Sequence, residues 1–262
     1  MSQLPPTAAL GRRRLGDGDV LLPPFQRERA MSRSASSTST PRNQLLAALS
    51  PADLNLLRPY LTPVELQLRK ELEKPNRPIK DVYFIDTGIA SVVAVQNGKL
   101  VEVGLIGCEG MSGTSVVLGG QSSPHSTYLQ VAGDGQHISA DALCKALEAS
   151  RTLHVMLLKF VQVFMVQTAH TAIANAQANI EQRLARWILM AHDRVSGDVL
   201  LLTHEFLSLM LAVRRAGVTE ALQNLARQRL IKTAVGEIVG IEEKTAPQTC
   251  PGALSEPTRL AS

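Results

Sequence analysis

Residues 203–232 read THEFLSLMLAVRRAGVTEALQNLARQRLIK, two apolar helical periods separated by a break of a few residues. Thr203 suits the N-cap of the first period, whose Phe206, Leu207, Met210 and Leu211 share one face. In the second, Val218, Ala221, Leu222 and Leu225 fall at i, i+3, i+4 and i+7, and the opposite side offers Arg215, Thr219, Glu220, Gln223 and Arg227. Two helices joined by so tight a turn form a helix-turn-helix, in which the second helix is shaped to enter a major groove. The left-handed position such a turn needs falls on Ala212, where glycine would be easier by about 1 kcal/mol. An arginine pair on a helix is by itself an ordinary solvated helix end, so the weight of Arg214 and Arg215 depends on their setting.

That setting is electrically distinctive. The chain has 262 residues and a formal net charge of +4. Residues 1–42 alone carry seven arginines against three acidic residues, which leaves residues 43–262 neutral as a group. Within that neutral body, residues 203–232 hold five basic side chains against Glu205 and Glu220, a local balance of +3. The chemistry also suits base edges: arginine pairs with guanine, glutamine with adenine, and glutamate accepts from cytosine.

Composition limits the alternatives. At 45% hydrophobic residues the chain can bury two modest cores, mostly aliphatic because aromatics are only 3%. Cys108, Cys144 and Cys250 are widely spaced, without a CxxC pair, which points to a reducing compartment. Three thiolates are too few for a cluster held by four cysteines, and nothing marks a haem site. No signal peptide is visible, and the most apolar run, residues 153–166, is broken by Lys159 and Gln162 and is short for a bilayer. A cytoplasmic protein without a membrane partner is expected. Catalysis has little support: Cys108 and Ser112 lie among glycines, with His125 and His137 downstream, yet the stretch is neither GxSxG nor a phosphate loop.

Along the chain, residues 1–42 read as a disordered Pro-, Arg- and Ser-rich tail in which Met31 is a second possible start. Short helices begin near Asn43, with Ser50 capping a helix that opens on Pro51. From Val64 to Ser139 short β-type runs alternate with turn signals. "SVVAVQNGKLVEVGLI" is a hairpin about Asn97-Gly98, "DVYFI", "STYLQVA" and "HIS" are further strands, and Gly133-Asp134-Gly135 is punctuation. This is the texture of a small antiparallel barrel or roll. Ser139 caps a helix over residues 140–148, and a long helix follows over residues 151–179. Its Leu153, Leu157, Phe160, Phe164, Gln167, Thr171, Ala174 and Ala178 recur in steps of four and three, a heptad seam that suits either its own domain or a second copy. Another helix, "IEQRLARWILMAHDRV", precedes the helix-turn-helix.

This order of parts, with "VYFIDTGIASVV", "VEVGLIGCEGMSG" and "LTHEFLSLMLAVRRAGVTEALQNLARQRLI", resembles the Crp/Fnr family of bacterial transcription regulators over residues 43–242. The resemblance implies an α+β chain: a disordered basic tail (1–42), a cyclic-nucleotide-binding-like antiparallel β-roll (43–150), a dimerisation helix (151–179), a winged helix-turn-helix (180–242) and a flexible tail (243–262). It implies double-stranded DNA, a second copy of the chain and RNA polymerase as partners, with a two-fold DNA site, and it turns the seam towards dimerisation. Thr203 and His204 fall at phosphate-contacting positions. Arg214, Arg215, Thr219, Glu220 and Gln223 fall on the reading helix, and "KTAVGEIVGI" stands where the wing hairpin belongs. Ala216 and Glu220 stand where cAMP-binding members carry glutamate and arginine, so a different operator is implied. An alternative keeps the roll as a sensor or protein-interaction module beside a degenerate helix-turn-helix.

For the effector pocket, the resemblance points to Gly107, Glu109 and Gly110, with Ser126 and Thr127 on the second side. The arginine that neutralises a cyclic phosphate is missing, since Lys145 is the single Lys or Arg between Gly104 and Ala149. His125 would help only when protonated. No resident cofactor is expected, and cAMP is expected to bind weakly or not at all.

Overall fold

The computed structural model describes residues 40–241 except 97, 98, 196, 198, 201, 235 and 236. Of the tails read at 1–42 and 243–262, residues 1–39 and all of the second lie outside the described residues. Two short helices open the fold, α1 (Gln44–Ala47) and α2 (Pro51–Leu57). Ser50 caps α2 by accepting from the Asp53 N–H, with Pro51 at the first helical position as the sequence requires.

Among the described residues seven strands then build the roll: β1 (Thr62–Leu66), β2 (Glu71–Glu73), β3 (Asp81–Ile85), β4 (Ile89–Gln96), β5 (Lys99–Ile106), β6 (Ser126–Val131) and β7 (Gly133–Ser139). A single-turn helix, α3 (Thr114–Val117), lies between β5 and β6. The strands pair antiparallel in two sheets, ordered β1-β7-β3 and β2-β6-β4-β5. Gln96 of β4 faces Lys99 of β5 in register, while Asn97-Gly98 itself lies outside the described residues. One expectation needs correcting. Gly133-Asp134-Gly135 is the start of β7, paired with both β1 and β3. The reason is space: a Cβ at Gly133 would lie 2.0 Å from the Thr87 carbonyl oxygen, and one at Gly135 2.3 Å from that of Phe84.

Ser139 caps α4 (Ala140–Ala149), and Ser150 caps the long α5 (Arg151–Gln177). The seam read from sequence turns out to face inward. Leu153, Leu157, Phe160 and Gln167 are buried against the chain's own roll. The Gln167 amide accepts from the Leu105 N–H at 2.7 Å and donates to the Leu105 carbonyl at 3.1 Å, so it completes the hydrogen bonding of β5 as a neighbouring strand would. Gly104 and Gly110 permit the approach, since a Cβ at either would come within 2.7 Å of Phe164 or 2.4 Å of Phe160. By length and composition alone α5 would reach across a bilayer, a correction to the shorter apolar run read from sequence. Its inner face is instead spent on the roll.

The opposite face of α5 carries a second heptad. Val155, Leu158, Gln162, Met165, Ala169, Ala172 and Ala176 recur in alternating steps of three and four, and all are exposed, with Val166 and Ile173 flanking them.

Next come α6 (Ile180–His192), β8 (Val199–Leu200), α7 (His204–Met210), α8 (Arg215–Arg227), β9 (Ile231–Ala234) and β10 (Glu237–Ile241). A capping box between Asn179 and Gln182 starts α6. The last strands pair antiparallel in the order β8-β10-β9, which makes β9–β10 the hairpin at the wing position; Val235 lies outside the described residues. A second apolar core gathers Leu184, Trp187 and Ile188 of α6, Leu207 of α7 and Val218, Leu222 and Leu225 of α8, together with Ile89 and Leu105 from the roll.

Candidate nucleic-acid interface

The turn between α7 and α8 is built as a Schellman motif. Val213 N–H donates to the Ser208 carbonyl at 3.0 Å and Ala212 N–H to that of Leu209 at 3.2 Å. The motif places Ala212 at φ +51, the left-handed conformation anticipated from the sequence. The same device ends α8: Leu230 N–H reaches the Leu225 carbonyl, Arg229 N–H that of Ala226, and Arg229 takes φ +60. Both helices therefore stop where the chain reverses, each with a side chain where glycine would be unstrained.

These stops fix which way α8 faces. Val218, Ala221, Leu222 and Leu225 are buried, and Arg215, Ala216, Glu220, Gln223 and Arg227 are exposed on the other side. Arg214 is the N-cap residue, exposed and without a side-chain capping bond. Thr203 is exposed and caps α7 through the Phe206 N–H at 3.1 Å. Thr219 is half-buried and engaged within the protein. Its hydroxyl donates to the Arg215 carbonyl at 3.1 Å, and His204 Nδ1 lies 3.0 Å from Thr219 Oγ1. The expected DNA-facing residues thus lie at the heads of α7 and α8 and along α8 as far as Gln223, with Thr219 and His204 bonded to each other.

Two residues of α6 that the sequence did not mark hold the pair of helices in place. Arg183 Nη2 donates to the Leu211 carbonyl at the C-terminal end of α7, where a cation also meets the negative end of the helix dipole. Burial lowers the pKa of this guanidinium. Glu181 accepts from Asn224 Nδ2 at 3.1 Å and from Gln228 Nε2 at 2.7 Å, so one carboxylate grips two turns of α8. A charged residue on a predicted helix looks the same whether it faces water or a neighbour, so no local signal distinguished these two.

The residues expected around an effector have other partners. Gly107 lies under the aliphatic stem of Arg194, which a Cβ there would approach to 2.6 Å. Glu109 accepts from Arg194 Nε at 2.8 Å and from the Gly107 N–H at 3.2 Å, and neither ionic side chain is more than 17% exposed. Gly110 lies under Phe160. Ser126 and Thr127 stand on β6, where Thr127 pairs across from Glu73. The buried Glu73 carboxylate accepts from the Gly113 N–H at 2.8 Å and bonds Thr127, and burial raises its pKa against those hydrogen bonds. The polar groups of Thr127 and Gly113 thus already serve an internal carboxylate.

Residues 182–244 match the Crp-like helix-turn-helix domain. The chain carries a Crp-like helix-turn-helix on a Crp/Fnr fold. Similar solved structures include the c-di-GMP responsive global regulator CLP of Xanthomonas campestris, at TM-score 0.59 and 14% identity over 74% of this chain and all of that one. A crp/fnr-family transcriptional regulator of Eubacterium rectale gives 0.61 at 14% identity, over 78% and 95% of the two chains. FixK2 of Bradyrhizobium japonicum gives 0.58 at 15% identity, over 69% and 92%. Among curated proteins no sequence matches the chain. The roll, the long helix and the C-terminal Crp-like helix-turn-helix are the architecture that this chain shares with those regulators.

Proposed function

We propose that this chain reads a two-fold operator as a homodimer, with α8 in the major groove and Arg215, Glu220 and Gln223 as its base contacts. The carrying observation is the exposed polar face of α8, held by a turn and by α6 side chains that leave that face to solvent. Arg214, Thr203 and His204 take phosphate-side roles at the helix heads, and Thr219 positions α8 from behind. The second copy joins along the exposed seam of α5, which repeats on the heptad that a coiled coil requires. The regulator works in the cytoplasm, and RNA polymerase is its further partner at a promoter.

The same reading takes cAMP as no effector of this chain. Glu109 is neutralised by Arg194, and the anion-facing groups at Gly113 and Thr127 are occupied by Glu73. The c-di-GMP response belongs to CLP; calorimetry with cAMP and with cyclic di-GMP decides whether either reaches this roll. For DNA, the test is selection from a random duplex pool at moderate salt. Enrichment of a two-fold motif is the expected result, and a pool that returns no such motif would favour a roll whose helix-turn-helix no longer reads DNA.

A further inference from the structure

The helix-turn-helix domain is fastened to the roll by polar contacts that base reading does not use. Glu102 of β5 is 6% exposed, and both its carboxylate oxygens accept hydrogen bonds. One bond comes from Trp187 Nε1–H of α6 at 2.5 Å, the other from the Ser91 hydroxyl of β4. Nearby, Glu109 pairs with Arg194, whose Nη1 also donates to the Met190 carbonyl at 2.7 Å. Gln130 of β6 reaches Met210 Sδ of α7 at 3.3 Å. Ile89 and Leu105 of the roll share one apolar cluster with Trp187, Ile188, Leu207 and Val218. The charged and titratable groups facing Glu102 are Arg186 and Arg194 from the α6 side and Tyr128 from β6.

We propose that Glu102 is a proton-dependent latch, which holds the helix-turn-helix domain on the roll when neutral and loosens it when ionised. An ionised carboxylate can be wetted only if α6 moves away from β5, because Trp187 and the shared apolar cluster exclude water in the docked form. Burial outweighs the bonds from Ser91 and Trp187 and the two arginines, and pushes the carboxyl from 4.5 to about 7. Undocking returns it to the ordinary carboxylate range. The sign follows. Below pH 4.5 the group is neutral in both forms, and docking carries no charge penalty. Between pH 4.5 and about 7 only the docked form still binds the proton, so docking weakens across that interval, and above about 7 the loss is complete. Between about pH 6 and 8 the docking equilibrium falls roughly tenfold.

Trp187 is the single tryptophan of the chain, so its emission reports on this contact directly. The full-length protein, free of DNA, is followed from about pH 5.5 to 8.5, with amide exchange of α6 and β5 measured in parallel. The wild type should show a shift to longer wavelength centred near neutrality, with faster exchange on the alkaline side. Glu102→Gln should show neither. Ser91→Ala, which removes a donor that favours the ionised form, should move the midpoint upward. No transition in the wild type, the same transition in Glu102→Gln, an unmoved midpoint in Ser91→Ala, or an emission change without a change in exchange would each overturn the latch. Its consequence for operator affinity rests on the DNA reading above. A clear transition in a protein that selects no DNA would sink that reading and leave the latch standing.

Discussion

His204 Nδ1 stands 3.0 Å from Thr219 Oγ1, and the Thr219 hydroxyl donates onward to the Arg215 carbonyl at 3.1 Å. With the hydroxyl proton spent on Arg215, neutral His204 must carry its own proton on Nδ1, and the chain of bonds ties the head of α7 to the first turn of α8. Thr219→Val keeps the shape and deletes the link. The loss of a half-buried hydrogen-bond chain costs about 1 kcal/mol of stability, and binding should weaken to a similar degree on every duplex tested. A changed preference at one base pair would instead make Thr219 a reader.

Arg215 is exposed on the side of α8 opposite its apolar stripe, and no ion pair restrains it among the described residues. Arg215→Ala should relax preference at one base pair per half-site and cost about 1–3 kcal/mol. Arg214→Ala should lower affinity across all sequences and reduce the slope of log K against log salt by about one. Titrations of matched and mutated operators at several salt concentrations separate the two. Interchanged results would exchange the roles.

Ala212 and Arg229 hold left-handed conformations at the ends of α7 and α8. In each Schellman motif a glycine would lose the clash of Cβ with the backbone, at some cost in the freedom of the unfolded chain. Ala212→Gly should therefore stabilise by about 0.5–1 kcal/mol, a gain of a few degrees in Tm. Arg229→Gly should give a similar gain in Tm, with weaker DNA binding because a positive charge is lost next to the wing. Calorimetric melting checks both, and a fall in Tm for Ala212→Gly would mean that the Ala212 methyl makes packing contacts worth more than the strain.

Residues 203–232 disclosed their structure because caps, apolar period and turn all act within a few residues of one another. Thr203, Ser50 and Ser139 cap the helices they were expected to cap for the same reason. The heptad of α5 was legible as a pattern but not in its partner. An apolar stripe states that it will be buried, not against what, and Leu157 facing the roll is the same letter as Leu157 facing a second helix. Gly107 and Gly110 show a related limit. A glycine marks a close approach, and Arg194 and Phe160 come from elements about 50 residues or more away in sequence. Glu102 was invisible as a buried group, because a glutamate in an alternating strand reads as solvated until Trp187 covers it.

The two faces of α5 give the sharpest test of the assembly. If the inner seam alone mattered, changes on the outer face would be silent, since Met165 is 57% and Ile173 51% exposed. If two chains join there, the pair Met165→Glu and Ile173→Glu sets like charges against each other across a coiled-coil seam. Each chain would keep its own fold, because neither side chain reaches the roll's core. Sedimentation should then show a folded monomer with an unchanged melting cooperativity, and affinity for a two-fold operator should fall far more than affinity for a single half-site. Leu157→Ala is the complementary control: it empties a fully buried position on the inner face and should cost about 2–5 kcal/mol of stability. A double variant that still sediments as a dimer would place the joint elsewhere on the chain.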